Sequence, residues 1–356
     1  MATTVFTVDP TAINGEFIQR AAGVLLSGGL VAFPTETVYG LGANALDALA
    51  VRRIFAAKER PAYDPLIVHL VDVADLGRVA RDIPPLVSDM AAHFWPGPLT
   101  LVLPRGADVP LEVTAGGETV AVRVPAHPVA QALICAAGVP IAAPSANRFG
   151  RLSPTCAADV LADLDGRIEV LLDGGPTVVG VESTVLSLVG EPVILRPGGV
   201  SREALEAILG PLTVSERSVL PAEDLLESPG LLLQHYAPQA PLVLYIGTPS
   251  AMRAAYLSEA LRYQQSQTLV GLLVADEDLP FLAGQDLLVE TVGSAEDLET
   301  VARRLFSALR ALDAAGAEVI LARDFGVTGL GLAIRDRLTR AAGGRVVEVP
   351  ALEDVR

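Results

Sequence analysis

Only one of the 26 basic residues in this 356-residue chain is a lysine, Lys58, in the run Lys58-Glu59-Arg60-Pro61. In a composition that otherwise writes arginine, a compact flexible ammonium beside a planar guanidinium suits an anion, the first as a point charge and the second as a fork. The plain alternative is a solvated helix end. Further cations stand at Arg123 and Arg196. Hydroxyls and amides sit at Thr37, Ser145, Asn147, Ser153, Ser183 and Thr184, with Thr119 and Arg123 flanking one apolar run. Taken singly, each Ser or Thr reads better as a turn former or helix cap. Taken together, these groups describe donors and charges for phosphate or carboxylate oxygens, and a chemistry of positioning and charge stabilisation. His69, inside Pro65-Leu66-Ile67-Val68-His69-Leu70-Val71, reads as a core histidine or as a hydrogen-bonding partner facing a pocket.

Other chemistries lack their residues. A Walker loop needs Gly-Lys-Ser/Thr, and the single lysine precedes Glu59. No Gly-x-Ser-x-Gly, His-x-x-x-His or Cys-His pairing offers a nucleophile or a metal cage. Gly40-Leu41-Gly42-Ala43-Asn44-Ala45 matches a loose dinucleotide fingerprint with Glu59 near the ribose-binding distance, which keeps an oxidoreductase reading open; its structural counterpart is a tight turn with glycine at positive φ. Cys135 and Cys156 read as inert core thiols, and His93 and His127 as structural.

Net charge is −16 and evenly spread: residues 1–210 carry 14 basic against 22 acidic residues, and 211–356 carry 12 against 20. Neither part is a basic nucleic-acid footprint, so no stable nucleic-acid binding is expected, and a non-catalytic RNA-binding or regulatory module is the disfavoured second class. Any positive surface is a local pocket suited to a small anion. No basic cluster precedes an apolar run near Met1, and no apolar stretch reaches the ~18 residues of a membrane span, so a cytoplasmic protein without membrane contact is expected.

The elements that must position these residues alternate. Apolar runs predict strands at 5–8, 30–33, 65–71, 99–103, 120–124, 140–143, 168–172, 183–188 and 193–195. Helical spacing covers 13–27, 47–57, 86–94, 129–137, 157–163 and 202–209. This is an α/β domain over 1–210 with a mixed sheet, since several strands follow one another without a helix. Residues 211–241, rich in proline, read as an interdomain linker. Regular alternation over 242–356 predicts a small, doubly wound parallel-sheet domain of Rossmann-like type.

The chain resembles the threonylcarbamoyl-AMP synthases in their two-domain form, with a YrdC-like catalytic domain built on a twisted mixed sheet. The resemblance lies in Pro34-Thr35-Glu36-Thr37-Val38-Tyr39-Gly40, Lys58-x-Arg60-Pro61, Phe94-Trp95-Pro96-Gly97-Pro98, Ala143-Pro144-Ser145-Ala146-Asn147, Gly180-Val181-Glu182-Ser183-Thr184 and Leu195-Arg196-Pro197-Gly198. It continues in His235-Tyr236-Ala237-Pro238 and in Gly329-Leu330-Gly331 of the C-terminal part. It implies a nucleotidyltransferase that joins L-threonine, bicarbonate or CO2, and ATP into threonylcarbamoyl-adenylate with release of pyrophosphate. The product would pass to tRNA threonylcarbamoyl transferase proteins that modify the adenosine next to the anticodon.

By the same resemblance Thr37, His69, Arg123, Ala143 and Ser183 would hold threonine. Lys58, Arg60, Asp64, Thr119, Ser145, Asn147, Ser153, Arg196 and Tyr236 would hold ATP with Mg2+, and Lys58, Arg60 and Arg196 would be catalytic. The chain departs from the family pattern at Asp64, usually asparagine, whose carboxylate cannot donate a hydrogen bond and must face a metal or a cation or lose the contact. The Leu231-Leu232-Leu233-Gln234 lead into His235 also lacks the family's polar residues.

Overall fold

A computed structural model describes residues 2–215 and 236–351. The chain divides into two units, one of residues 1–149 and 153–232, the other of residues 150–152 and 233–356.

In chain order the first unit contains β1 (Thr4–Thr7), α1 (Gly15–Leu26), β2 (Val31–Phe33), β3 (Gly40–Asn44), α2 (Ala48–Lys58), β4 (Ile67–His69), α3 (Leu86–Phe94), β5 (Leu99–Pro104), β6 (Thr119–Arg123), α4 (Pro128–Ala137), β7 (Ile141–Ala142), α5 (Ala157–Leu164), β8 (Val170–Asp173), β9 (Thr184–Ser187), β10 (Val193–Arg196), α6 (Arg202–Leu209) and β11 (Thr213–Val214). The strands form one mixed sheet in the order β1-β8-β2-β3-β7-β4-β6-β5-β9-β10-β11. Parallel pairs (β1/β8, β4/β6, β5/β9) sit among antiparallel ones (β2/β3, β5/β6, β9/β10).

The two-residue period of a strand separates the layers. On β2, Val31 and Phe33 join α1 and α4 in one core with Ile18, Leu25 and Leu133, while Ala32 turns to the core shared with α2 and its Val51 and Ile54. Farther along the sheet Val68, Leu101, Val120, Val122 and Leu186 enter that second core. Their alternate neighbours Ile67, Val102, Ala121 and Val185 meet in a small cluster on the opposite face. That face also carries the polar members of the alternation.

The helices begin where short polar residues can cap them. The Asn14 side chain accepts from Glu16 N–H at 3.0 Å to start α1, and the Asp47 carboxylate accepts from Leu49 and Ala50 N–H at 2.9 and 3.2 Å to start α2. Glu59, left-handed at φ 56°, stops α2 one residue past Lys58, so the lysine leaves the last helical turn as the chain reverses.

The second unit contains β12 (Leu242–Ile246), α7 (Pro249–Gln265), β13 (Val270–Val274), β14 (Leu288–Thr291), α8 (Leu298–Ala314), β15 (Val319–Arg323), α9 (Gly331–Ala342) and β16 (Val346–Glu348). All pairs are parallel, in the order β14-β13-β15-β12-β16. Val270, Leu272 and Val274 face Met252, Tyr256 and Ala260 of α7.

Several expectations are corrected. Gly40-Leu41-Gly42 is neither a phosphate loop nor a positive-φ turn: it is β3, and neither glycine has positive φ. A Cβ on Gly42 would stand 2.8 Å from the Phe33 ring and 2.9 Å from Ile141, so the glycine makes room for close packing in the sheet. Thr213–Val214, expected in the linker, pairs with β10 as an edge strand. Residues 216–235 of that linker, including Leu231 to Gln234 and His235, lie outside the described residues. Gln239 and Ala240 are fixed to the second unit by hydrogen bonds from their N–H groups to the Asp313 carboxylate. Cys135 is exposed and Cys156 half-buried, so neither is a core thiol. Edge strands β14 and β16, with only half-buried or exposed residues, lack the periodic signal by which the others were expected.

Candidate functional site

The polar face of the first unit's sheet is built by alternation and register. His69 of β4 lies beside Arg123 of β6 as Ile67 lies beside Ala121. Thr100 of β5 lies beside Val185 of β9. A register shift between Ile194 and Arg196 puts Arg196 across from Val185, so a bulge turns this arginine onto the same face. The candidate site therefore spreads across a sheet face as well as the turns at its rim. Thr119 begins β6 and Arg123 ends it, four strand steps or roughly 13 Å apart.

Arg123 is buried. Its guanidinium donates to Glu36 Oε1 at 2.5 Å, to Thr37 Oγ1 at 3.0 Å and to the Gly97 carbonyl at 3.1 Å. Burial first, and the Arg123 charge second, push His69 down to about 3, so the imidazole is neutral at physiological pH. Its ring meets Phe33 edge-on, and its Nδ1 has no hydrogen-bond partner among the described residues. Ala143 is buried, with its N–H held by the Ile67 carbonyl at 2.9 Å. Ser183 Oγ shares a 2.7 Å hydrogen bond with Thr100 and accepts from Arg196 at 3.2 Å, while Arg196 also donates to the Ser183 carbonyl at 2.9 Å. Gly198 makes this approach possible: a Cβ there would stand 2.3 Å from the main chain of Ser183 and Thr184.

Lys58 is 1% exposed, which removes the reading of a solvated helix end. Its Nζ donates to the Ser145 carbonyl at 2.6 Å and to the Asn147 carbonyl. No described carboxylate lies within ion-pair distance of it, and burial, reinforced by the Arg60 charge, holds the ammonium well below its ordinary value. Arg60, 7% exposed, is likewise no exposed turn cation. It pairs with Asp64 at 2.8 Å, so the carboxylate at the unusual position faces a cation. Ser153 Oγ bonds to the Glu182 carboxylate. Thr119 and Ser145 are half-buried and Asn147 is buried.

Main-chain hydrogen bonds join these groups. Gly180 N–H donates to the Thr37 carbonyl at 3.1 Å, Ala146 N–H to the Tyr39 carbonyl at 2.8 Å, and Thr184 N–H to the Pro98 carbonyl at 3.0 Å. Of the residues expected in the site, Tyr236 belongs to the second unit, where its ring stacks on Phe306 at 6.0 Å and lies 5.0 Å from the Arg337 guanidinium. His127 caps α4 by accepting from Val129 N–H, a structural role as expected.

Sequence reasoning assigned no role to Glu36, Glu182 and Thr100. Glu36 and Glu182 each stand in a quoted motif beside an assigned residue, and an acid in such a motif is a usable signal. Its partner, 87 residues away for Glu36 and Arg123, is not.

The first unit thus presents a mixed-sheet face that gathers buried cations, hydroxyls and a carbonyl-held ammonium. Residues 23–198 match the family described as Telomere recombination (Sua5, YciO and YrdC), and residues 200–343 match the threonylcarbamoyl-AMP synthase C-terminal domain. The chain is 47% identical over 341 residues to a threonylcarbamoyl-AMP synthase of Bacillus subtilis, covering 95% of this chain and 96% of that one. It is 44% identical over 336 residues to that of Pyrococcus abyssi, covering 93% and 96%. A crystal structure of P. abyssi Sua5 complexed with L-threonine superimposes with a TM-score of 0.92 at 43% identity, covering 98% of this chain and 100% of that one. The chain belongs to the threonylcarbamoyl-AMP synthase family, enzymes of the transferase class.

Proposed function

We propose that the chain joins L-threonine, bicarbonate or CO2, and ATP into threonylcarbamoyl-adenylate, releasing pyrophosphate, and that the product serves threonylcarbamoyl modification of the adenosine next to the tRNA anticodon. The observation that carries this reading is Lys58, a buried ammonium fixed by two carbonyls and lacking a described carboxylate partner. A buried cation so placed is stabilised by an incoming anion.

Threonine's amine takes up CO2 and loses a proton, giving an N-carboxylate. One oxygen of that group attacks the α-phosphorus of ATP, and the bond to the bridging oxygen of pyrophosphate breaks. Two anions approach each other in this step, and Lys58, Arg60 and Arg196 would neutralise the gathering charge. Arg123 with Thr37 and Ser183 would take threonine's carboxylate and polar groups, against neutral His69 and Ala143. Asn147, Ser145, Ser153, Thr119 and Tyr236 would orient the nucleotide. For Asp64 the ion pair with Arg60 supports an indirect role, aligning that guanidinium.

Mg2+ would arrive on the triphosphate and neutralise its charge. No group of three or more His, Cys, Asp or Glu among the described residues could hold it, so phosphate oxygens would supply most ligands. Among the described residues no helix is long and apolar enough to cross a membrane, consistent with a proposed site of action in the cytoplasm.

The test is pyrophosphate release with threonine, bicarbonate and ATP each omitted in turn. Release only when all three are present is the expected result; conversion of ATP to ADP without threonine removes the proposal.

A further inference from the structure

Two residues before Thr37 stands a second buried threonine, Thr35, to which neither the motif nor the site has given a part. Thr35 and Thr37 are 2% and 1% exposed, so bulk water does not decide where their hydroxyl hydrogens point. Each hydroxyl has one hydrogen to give and two lone pairs to accept with. Thr35 Oγ1 lies 2.6 Å from the Val38 carbonyl oxygen and 2.8 Å from Thr37 Oγ1. A carbonyl oxygen can only accept, so the single hydrogen of Thr35 is given to Val38. The contact between the two hydroxyls then takes its hydrogen from the other side: Thr37 donates and Thr35 accepts. The N–H groups of Thr37 and Val38, 3.2 and 3.3 Å from Thr35 Oγ1, also address it as an acceptor.

This direction limits what Thr37 can offer. Its hydrogen is committed to Thr35, and one lone pair takes Arg123 Nη1 at 3.0 Å. The remaining lone pair can only accept. Arg123 is limited in the opposite sense. Its bonds to Gly97, Thr37 and Glu36 use three of five N–H groups, and the two left over, one on each terminal nitrogen, can only donate. Neighbouring groups therefore make opposite demands. A carboxylate, which accepts only, suits Arg123 and is refused by Thr37, whereas an O–H or N–H suits Thr37 and is refused by Arg123.

We infer that Thr35 is a positioning residue for the amino-acid site: by taking the Thr37 hydrogen it commits that hydroxyl to accept from an O–H or N–H of threonine, and so leaves the substrate carboxylate to Arg123. This rests on the reading that Arg123 and Thr37 face threonine. Without the Thr35 hydroxyl the Thr37 hydrogen is released, and the site no longer distinguishes the donor end of the substrate from its acceptor end at that position.

The experiment uses the full chain with Thr35→Val, which keeps the shape and removes the hydroxyl, Thr35→Ser, which restores a hydroxyl, and Arg123→Ala. Threonine affinity by titration calorimetry, the ATP KM and Tm are measured for each. Thr35→Val is expected to weaken threonine about five- to tenfold with the ATP KM within about twofold, and Thr35→Ser to recover most of the loss. Threonine affinity unmoved in Thr35→Val while Arg123→Ala weakens it overturns the assignment. Equal losses for both substrates, or a Thr35→Ser variant no better than Thr35→Val, reduce Thr35 to a structural residue and overturn it as well. If Arg123→Ala leaves threonine affinity unchanged, the threonine reading of this face fails and takes the inference with it. Should Thr35→Val fail to fold, neutron diffraction from the unaltered, deuterium-exchanged chain decides: the Thr37 deuteron is expected on the line to Thr35 Oγ1, and a Thr35 deuteron directed at Thr37 overturns the inference.

Discussion

At position 64 the family pattern places an amide, and the carboxylate found here forms a buried ion pair with Arg60. Asp64→Asn removes the charge and keeps a hydrogen-bonding group. It is expected to lower stability by about 1–3 kcal/mol while synthesis persists; a chemical-denaturation series and an activity assay check both, and loss of synthesis with stability unchanged would give Asp64 a direct part in the reaction. Lys58 yields a binding prediction. Its ammonium is held low by burial and Arg60, and phosphate opposes that shift, so at pH values between the free and the ATP-bound pKa binding is expected to take up a proton. Titration calorimetry in buffers of different ionisation enthalpy reads that uptake, which Lys58→Met should abolish.

His69 links the site to stability. Its folded value of about 3 lies below the ordinary 6.5, so under about pH 6.5 the unfolded chain binds a proton that the folded chain refuses. Stability from this group is therefore full at neutral pH and declines as pH falls towards 3. Between pH 6.5 and 5 the loss is about 1–2 kcal/mol. Urea midpoints for the chain and for His69→Gln should diverge in slope over that range, and parallel slopes would count against a buried neutral imidazole.

At the scale of elements, the bulge before Arg196 and the glycine after it act together. The bulge turns the guanidinium onto the site face, and Gly198 lets that segment lie against the main chain of Ser183. Gly198→Ala puts a methyl group 2.3 Å from that main chain, which must yield. Expected are a loss of about 1–3 kcal/mol and a rise in the requirement for both substrates, since Ser183 and Arg196 move together. Arg123→Ala differs. It empties one end of β6 and leaves Glu36 as a buried unpaired carboxylate, so it should raise the threonine requirement by far more than the ATP requirement. Steady-state kinetics with each substrate varied distinguishes the two patterns, and equal effects from Arg123→Ala would remove it from the threonine site.

At the scale of the whole molecule, Thr213–Val214 extends the first unit's sheet past Gly210 by pairing with β10. A chain ending at Ser215 is expected to fold and to lose most synthesis, since the nucleotide contact proposed for Tyr236 is then removed. Circular dichroism and the pyrophosphate assay check the two halves of that expectation. Full synthesis by the shortened chain would reduce the C-terminal unit to an appendage.

The sequence by itself determined the layered α/β class, most strand and helix positions, and which residue types gather in the ordered motifs, because periodicity and capping are local properties of the chain. Lys58, Arg60, Arg123 and Arg196 could all be singled out from type and neighbours alone. Only the tertiary structure decided that Lys58 is buried against the carbonyls of Ser145 and Asn147, that Glu36 holds Arg123, and that Arg60 answers Asp64. It also made Gly40–Asn44 a strand instead of a loop, since Gly42 is required by Phe33 and Ile141, neither of which is a close neighbour in sequence. Pairings across some 90 residues depend on strand order and register, which no local pattern of residues encodes.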